Sequence, residues 1–358
     1  MYRKVILSFI GVMYYLSMYT SPAPFSLLYA NHDRDHTIAY VYAHGLRATY
    51  QQALDLFARI NSIRENGTYA YNPYWILGEP LLTFNFPDAK NNTDFARHEV
   101  NLGQEKDINR LKEACEYALK KIPTCTGLVL AGVSRGSSTI WNFIALHKPH
   151  YVKAAILESP YDSLKSVVRH LLRRYYVSWF PFSRHICMKL VDRHFPLLKI
   201  NGVFPLTVAQ QMTKNIPILL VHPVKDKVVP VNSSRRLYLK LRLMGHERIH
   251  LLELPMGSHA KSIQGPYGAM FQYTTHAFYK KYNLPHEESF AEKGHIYLAA
   301  TQPSIEEIKI LIDKTRNQDQ DLLDIDDDLT DFDDDDYSAN MFPLFDTLLS
   351  PSELLMYQ

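Results

Sequence analysis

Cysteine is scarce in this 358-residue chain: Cys115, Cys125 and Cys187 are the only three. They are too few for a disulfide framework, and no two stand in the CxxC spacing of a metal or redox site. Cys115 and Cys125 can pair only in an oxidising compartment. Basic residues are absent after Arg316, where thirteen of the 37 acidic residues collect, so the body carries a formal +15 and the remainder −13. A body of that charge favours anionic surfaces, including a phospholipid membrane. No RNA- or DNA-binding motif accompanies it, so no nucleic acid is expected as a partner.

Charge of either sign is missing from Val5 to Ala30. With Arg3 and Lys4 ahead of it, this stretch reads as an export signal ending at Ala23 or Ala30, or as an uncleaved membrane anchor, over residues 1–30. The rival reading is a buried first strand. Export or membrane tethering is the expected localisation, and the cytoplasm the alternative. Asn66, Asn91 and Asn232 begin N-x-S/T triplets, which are frequent by chance.

What is present is a rhythm of short apolar runs. TIAYVYA (37–43), LLTFNF (81–86), TGLVLA (126–131), KAAILE (153–158), IPILLVH (216–222) and RIHLLEL (248–254) read as strands buried on both faces. Helical periodicity separates them, as in QALDLFARI (52–60), EKDINRLKEACEYALKK (105–121) and SSTIWNFIALHK (137–148). The alternation predicts an α/β fold: a three-layer α/β/α sandwich around a mostly parallel sheet.

One connection is oversized. Over residues 161–214, Leu164, Val167, Val168, Leu171, Leu172 and Tyr175 form an amphipathic stripe, with Asp162 as a candidate N-cap. The segment reads equally as a helical lid over a site and as extra packing helices, and YYVSWFPF (175–182) suits a hydrophobic substrate. The domain is expected over 31–283, followed by an extension at 284–316 with a helix at 304–314. An acidic tail over 317–358 has eleven aspartates by residue 336 and is expected to be disordered. Asp324, Asp326 and Asp328 open like a calcium loop, but Leu329 stands where the turn needs glycine, so no metal is expected.

The pentapeptide GVSRG, residues 132–136, follows a strand and precedes a helix. G-x-S-x-G at such a turn is a nucleophile elbow: the serine takes a strained backbone, and Gly132 and Gly136 keep neighbouring elements from clashing. A serine hydroxyl needs a base, and the base an orienting acid, in the chain order Ser, Asp or Glu, His. Asp226 falls in a loop just beyond IPILLVH and His259 in a loop just beyond RIHLLEL, completing Ser134, Asp226 and His259. Glu158 and Asp162 are alternative acids, and His222 reads as a packed or supporting histidine. His44-Gly45 ends the first strong strand, and Gly45 lets the Leu46 amide turn toward the serine. With the Arg135 amide it supplies two donors for an oxyanion. His44 reads as the brace of that loop. The Arg135 side chain is expected to face solvent or an anionic substrate group.

HGL at 44–46, GVSRG at 132–136, VKDKVVP at 224–230 and GSHA at 257–260 resemble the α/β-hydrolase superfamily, in particular its prolyl-oligopeptidase-like and small serine-hydrolase branches. NLGQEKDINRLKEA and ILESPYDSL look similar to stretches of the same branches. The resemblance covers about residues 37–282 and implies a Ser134, Asp226, His259 triad with the Leu46 and Arg135 amides as oxyanion hole. It implies a serine hydrolase that needs no cofactor and cleaves an ester, thioester or lipid acyl bond. A peptidase of the prolyl-oligopeptidase-like type and a non-catalytic binding protein on the same fold are the alternatives. Members usually begin with two further antiparallel strands, so a sheet of six strands is expected here, with FSLLYA as a candidate edge. No β-propeller is expected ahead of the domain.

Overall fold

A computed structural model describes residues 25–28, 35–54, 57, 64–65, 68–69, 73–76, 78–89, 96, 99–174 and 182–320. Most of the expected leader, the sequons at Asn66 and Asn91, most of the aromatic cluster 175–182, the calcium-like aspartates and the tail beyond Gln320 lie outside the described residues. By compactness the chain divides at Lys309/Ile310 into two units. The described part of the second belongs to one helix, Ile305–Gln320.

In the first unit, seven strands make one sheet: β1 (Phe25–Leu28), β2 (Ile38–Ala43), β3 (Leu81–Phe84), β4 (Gly127–Val133), β5 (Val152–Glu158), β6 (Ile218–Pro223) and β7 (Ile249–Leu254). Their spatial order is β1-β3-β2-β4-β5-β6-β7. All pairings are parallel except β1 with β3, where Phe25 faces Phe84 and Leu28 faces Leu81 in antiparallel register. The edge strand at Phe25 makes seven strands rather than six. LLTFNF stops pairing at Phe84, and the Asn85 side chain instead accepts the Tyr50 amide at 2.8 Å.

Parallel strands buried on both faces need cover on both, and the period of two in β4 shows how it is provided. Val129, Ala131 and Val133 join a core with Phe271 and Phe278 from the helix Gly268–Lys281. Gly132 points the other way, onto the helix Arg135–His147, where a Cβ at 132 would meet Ile140 Cδ1 at 2.9 Å. The chain runs from β2 to β3 on one side and then returns to β4 on the other side of β2. That reversal opens a crevice at the carboxyl ends of β2 and β4, the usual place for a ligand in an open α/β sheet.

The insertion after β5 is helical, with helices at Leu164–Arg174, Ser183–His194 and Pro205–Val208. The first begins after Ser163, whose hydroxyl accepts the Ser166 amide at 3.3 Å. Asp162, the expected cap, binds elsewhere: it accepts the Ser233 hydroxyl at 3.0 Å and pairs with Arg236. The second half of the insertion is packing. Lys199 exchanges two hydrogen bonds with the Gln104 amide, and Trp141 donates to the Pro205 carbonyl at 2.9 Å.

Beyond residue 283 the helix Glu288–Ala299, unsignalled by any clear stripe, buries Phe290, Ala291 and Leu298. The turn after it, in place of an eighth strand, covers the outer edge of β7. Leu251 donates its amide to the Thr301 carbonyl at 2.7 Å, and the Gln302 amide group donates to the carbonyls of Glu247 and Ile249. Among the described residues no helix is long and apolar enough to cross a membrane. Cys115, Cys125 and Cys187 are free and buried, and Asn232 is buried too.

Candidate active site

β4 ends at Val133 and the following helix starts at Arg135, so Ser134 alone makes the turn. Its backbone sits at φ 53°, ψ −112°, a strained conformation for a residue with a Cβ. Strain is tolerated because the surroundings leave no alternative. The Ser134 amide donates to the Glu158 carbonyl at 2.8 Å, and its own carbonyl accepts the Ser138 amide at 3.0 Å. The flanking glycines are required by the end of β2. A Cβ on Gly136 would lie 1.9 Å from the Ala43 carbonyl oxygen, and one on Gly132 would lie 2.9 Å from the Gly136 carbonyl carbon.

Two loops at the carboxyl edge of the sheet bring the other candidates to this serine. His259 Nε2 lies 2.9 Å from Ser134 Oγ, and His259 Nδ1 lies 2.7 Å from Asp226 Oδ2. With Nδ1 protonated, the imidazole donates to Asp226 and accepts the serine proton. Asp226 is held in turn: Oδ1 accepts the Val228 and Val229 amides at 2.8 and 3.0 Å, and Oδ2 accepts the Ser159 hydroxyl at 2.9 Å. Burial alone would raise its pKa, but the charge and hydrogen bond of His259 and the backbone donor override it and hold the carboxyl well below its ordinary value. Burial would lower that of His259, and Asp226, joined by Glu158, reverses the sign, so the imidazole titrates above its ordinary value.

Neither alternative acid touches the His259 ring nitrogens. Glu158 accepts the Ser262 amide and the Tyr74 hydroxyl, and Asp162 is engaged with Ser166, Ser233 and Arg236. His222 lies behind Asp226, its Nε2–H donating to the Val229 carbonyl at 3.0 Å and its Nδ1 accepting the Ser234 hydroxyl at 2.7 Å.

The loop after β2 turns toward the elbow. A Cβ on Gly45 would lie 3.8 Å from Ser134 Cβ, so the backbone leading to Leu46 passes beside the serine. His44 is buried and its Nδ1–H donates to the Gly45 carbonyl at 2.8 Å. Burial lowers its pKa to about 4, so it braces the turn as a neutral ring. Arg135 is the first helical residue, and its amide has no acceptor inside the helix.

The Arg135 side chain corrects the expectation. It faces neither solvent nor the crevice; its side chain is 1% exposed, between two aspartates that are wholly buried. Nη1 and Nη2 donate to Asp88 at 2.9 and 2.6 Å, and Nε and Nη2 donate to Asp107 at 2.7 Å each. The guanidinium lies 4.3 Å from the Phe86 ring centre. Asp107 also accepts the Gly103 amide at 2.6 Å. Sequence reasoning missed both aspartates, 47 and 28 residues from the arginine; the available signal was Asp107 in the first turn of an amphipathic helix that starts with EKD.

No protein-family profile and no curated protein matches the chain by sequence. Solved structures match it in fold. An esterase of Pyrococcus furiosus superposes with a TM-score of 0.50 at 13% identity, over 72% of this chain and 86% of the esterase. The acylaminoacyl peptidase of Pyrococcus horikoshii gives 0.50 at 17% identity over 79% of this chain, which spans 41% of the peptidase's length. The sheet order, the strand-to-helix turn at Ser134 and these two superpositions agree: the chain has the α/β-hydrolase fold.

Proposed function

We propose that the protein is a serine hydrolase that cleaves ester, thioester or lipid acyl bonds by acyl transfer. The observation that carries this reading is the continuous hydrogen-bonded chain Ser134, His259, Asp226, with the serine on a strained turn. Ser134 Oγ attacks the substrate carbonyl carbon as its proton passes to His259 Nε2. The Leu46 and Arg135 amides receive the negative charge that develops on the carbonyl oxygen. Collapse of the tetrahedral adduct breaks the bond to the leaving group, which takes the proton from Nε2. Water then attacks the acyl-enzyme, gives its proton to the same nitrogen, and the acid departs as Ser134 recovers its hydroxyl. Asp226 holds the Nδ1–H tautomer throughout and offsets the charge of the imidazolium.

Acyl esters are favoured by the loops that carry Asp226 and His259. Val224 and Met256 on those loops are 40% and 50% exposed. Exposed apolar side chains there suit an acyl chain. A peptidase is the second reading, supported by the likeness to the acylaminoacyl peptidase. A fluorophosphonate probe tests both. Labelling of the wild type that is lost in Ser134→Ala and His259→Ala supports an activated serine, and p-nitrophenyl esters of increasing chain length against acylated amino-acid amides then separate the substrates. Folded wild type that takes no label overturns the proposal in favour of a binding protein.

A further inference from the structure

Glu158 closes β5, and the reaction scheme gives its side chain no part. Its side chain is fully buried, an expensive place for a carboxylate unless donors or a positive charge meet it. Oε1 accepts the Ser262 amide at 3.0 Å, and Oε2 accepts the Tyr74 hydroxyl. Ser262 stands three residues after His259, in the same loop. Meanwhile the Glu158 carbonyl accepts the Ser134 amide at 2.8 Å, and its neighbour Ser159, at φ 47°, donates its hydroxyl to Asp226 Oδ2 at 2.9 Å. Glu158, the last residue of β5, and Ser159 just past it therefore reach the serine's backbone, the acid and the histidine's loop.

The balance of charge points the same way. Burial holds the Glu158 carboxyl above its ordinary value, and the donors from Ser262 and Tyr74 together with the nearby His259 draw it only part of the way back. The groups that face His259 are Ser134 from the elbow, Asp226 from the loop after β6 and Glu158 from β5, with His222 behind Asp226. Tyr42 and Tyr74, the other titratable groups near Glu158, stay neutral because burial raises both. The positive charge that arises next to this carboxylate is the imidazolium formed when Ser134 gives up its proton.

We propose that Glu158 is a positioning residue for His259: a second carboxylate that clamps the histidine loop through the Ser262 amide and favours the imidazolium formed during acyl transfer. This rests on the reading of Ser134 as nucleophile. It assigns the residue a role distinct from that of Asp226, which binds the ring itself.

The test is Glu158→Gln, which keeps the shape and an acceptor for Ser262 but removes the charge. The acid limb of the kcat/KM profile for a short p-nitrophenyl ester is expected to move about half a unit to lower pH, with kcat falling about tenfold and KM unchanged. Glu158→Asp keeps the charge with a shorter reach; it lowers kcat without moving the limb. Tyr74→Phe strips one donor from the carboxylate, favours its protonated form, and shifts the limb in the same direction by less. An unmoved limb in folded Glu158→Gln overturns the inference; should that variant fail to fold, an unmoved limb in Tyr74→Phe does so. The 15N resonances of His259 report the same shift without turnover. A wild type inert to the fluorophosphonate therefore sinks the proposed function, while the titration still decides Glu158.

Discussion

Arg135 grips Asp88 fork to fork, Nη1 to Oδ2 at 2.9 Å and Nη2 to Oδ1 at 2.6 Å, with the residue next to the candidate nucleophile wholly inside the protein. The same guanidinium spans Asp107, so one cation sits between two carboxylates that have no contact with water. Removing it strands both. Arg135→Ala is expected to cost about 3–5 kcal/mol in urea denaturation. Arg135→Lys retains the charge but not the two-sided fork, and its loss in stability is expected to lie between that of the wild type and alanine.

Gly136→Ala separates two explanations of the elbow. If glycine were there for flexibility, an added methyl would be mild. The methyl would instead lie 1.9 Å from the Ala43 carbonyl oxygen, a backbone atom that cannot move without displacing β2. The expected loss is about 3 kcal/mol, measured by thermal or chemical unfolding, together with slower fluorophosphonate labelling because Ala43 leads directly into the loop of Gly45 and Leu46.

Residues that act on one proton are not additive. Ser134→Ala and His259→Ala are each expected to lower ester turnover by about 10⁴-fold or more, and the double variant to be no slower than the worse single one. A double variant slower by the product of the two effects would show that the residues act independently and break the proposed mechanism.

In the proposed mechanism turnover requires His259 to be neutral, and Asp226 with Glu158 raises the pH at which it loses its proton. Activity is therefore expected to fall with acidification through a pKa above the ordinary histidine value of 6.5. Asp226→Asn removes the larger stabiliser of the imidazolium and the acceptor that selects the tautomer. Its kcat is expected to drop about 10⁴-fold, with the surviving acid limb displaced to lower pH.

Much of the sheet was legible because strands buried on both faces leave continuous apolar runs. TIAYVYA, KAAILE and RIHLLEL each match a strand to within a residue. Ser134, Asp226 and His259 were singled out because each stands within a few residues of the end of such a run, and the folded chain brings the three within hydrogen-bond distance. Long-range pairing was illegible. Nothing near Arg135 announces Asp88 or Asp107, since partner choice is made by the packing of separate elements. Phe25–Leu28 lies in an uncharged stretch that suits a leader, an anchor or a strand equally well, and its antiparallel pairing with Leu81–Phe84 depends on a neighbour more than fifty residues away. The helix Glu288–Ala299 escaped because it buries a few side chains without a regular stripe.

The turn after that helix does more than end it. By occupying the Leu251 amide and the Ile249 carbonyl, Thr301 and Gln302 finish the sheet without adding a strand to it. An open edge invites a second chain to pair with it, and covering it with a loop is one of the ways proteins avoid aggregation. This sets a practical limit on shortening the protein. A version that stops beyond Gln302 keeps its seal, whereas one trimmed before Thr301 bares the rim of β7 and becomes sticky in solution even if its serine, histidine and aspartate are untouched.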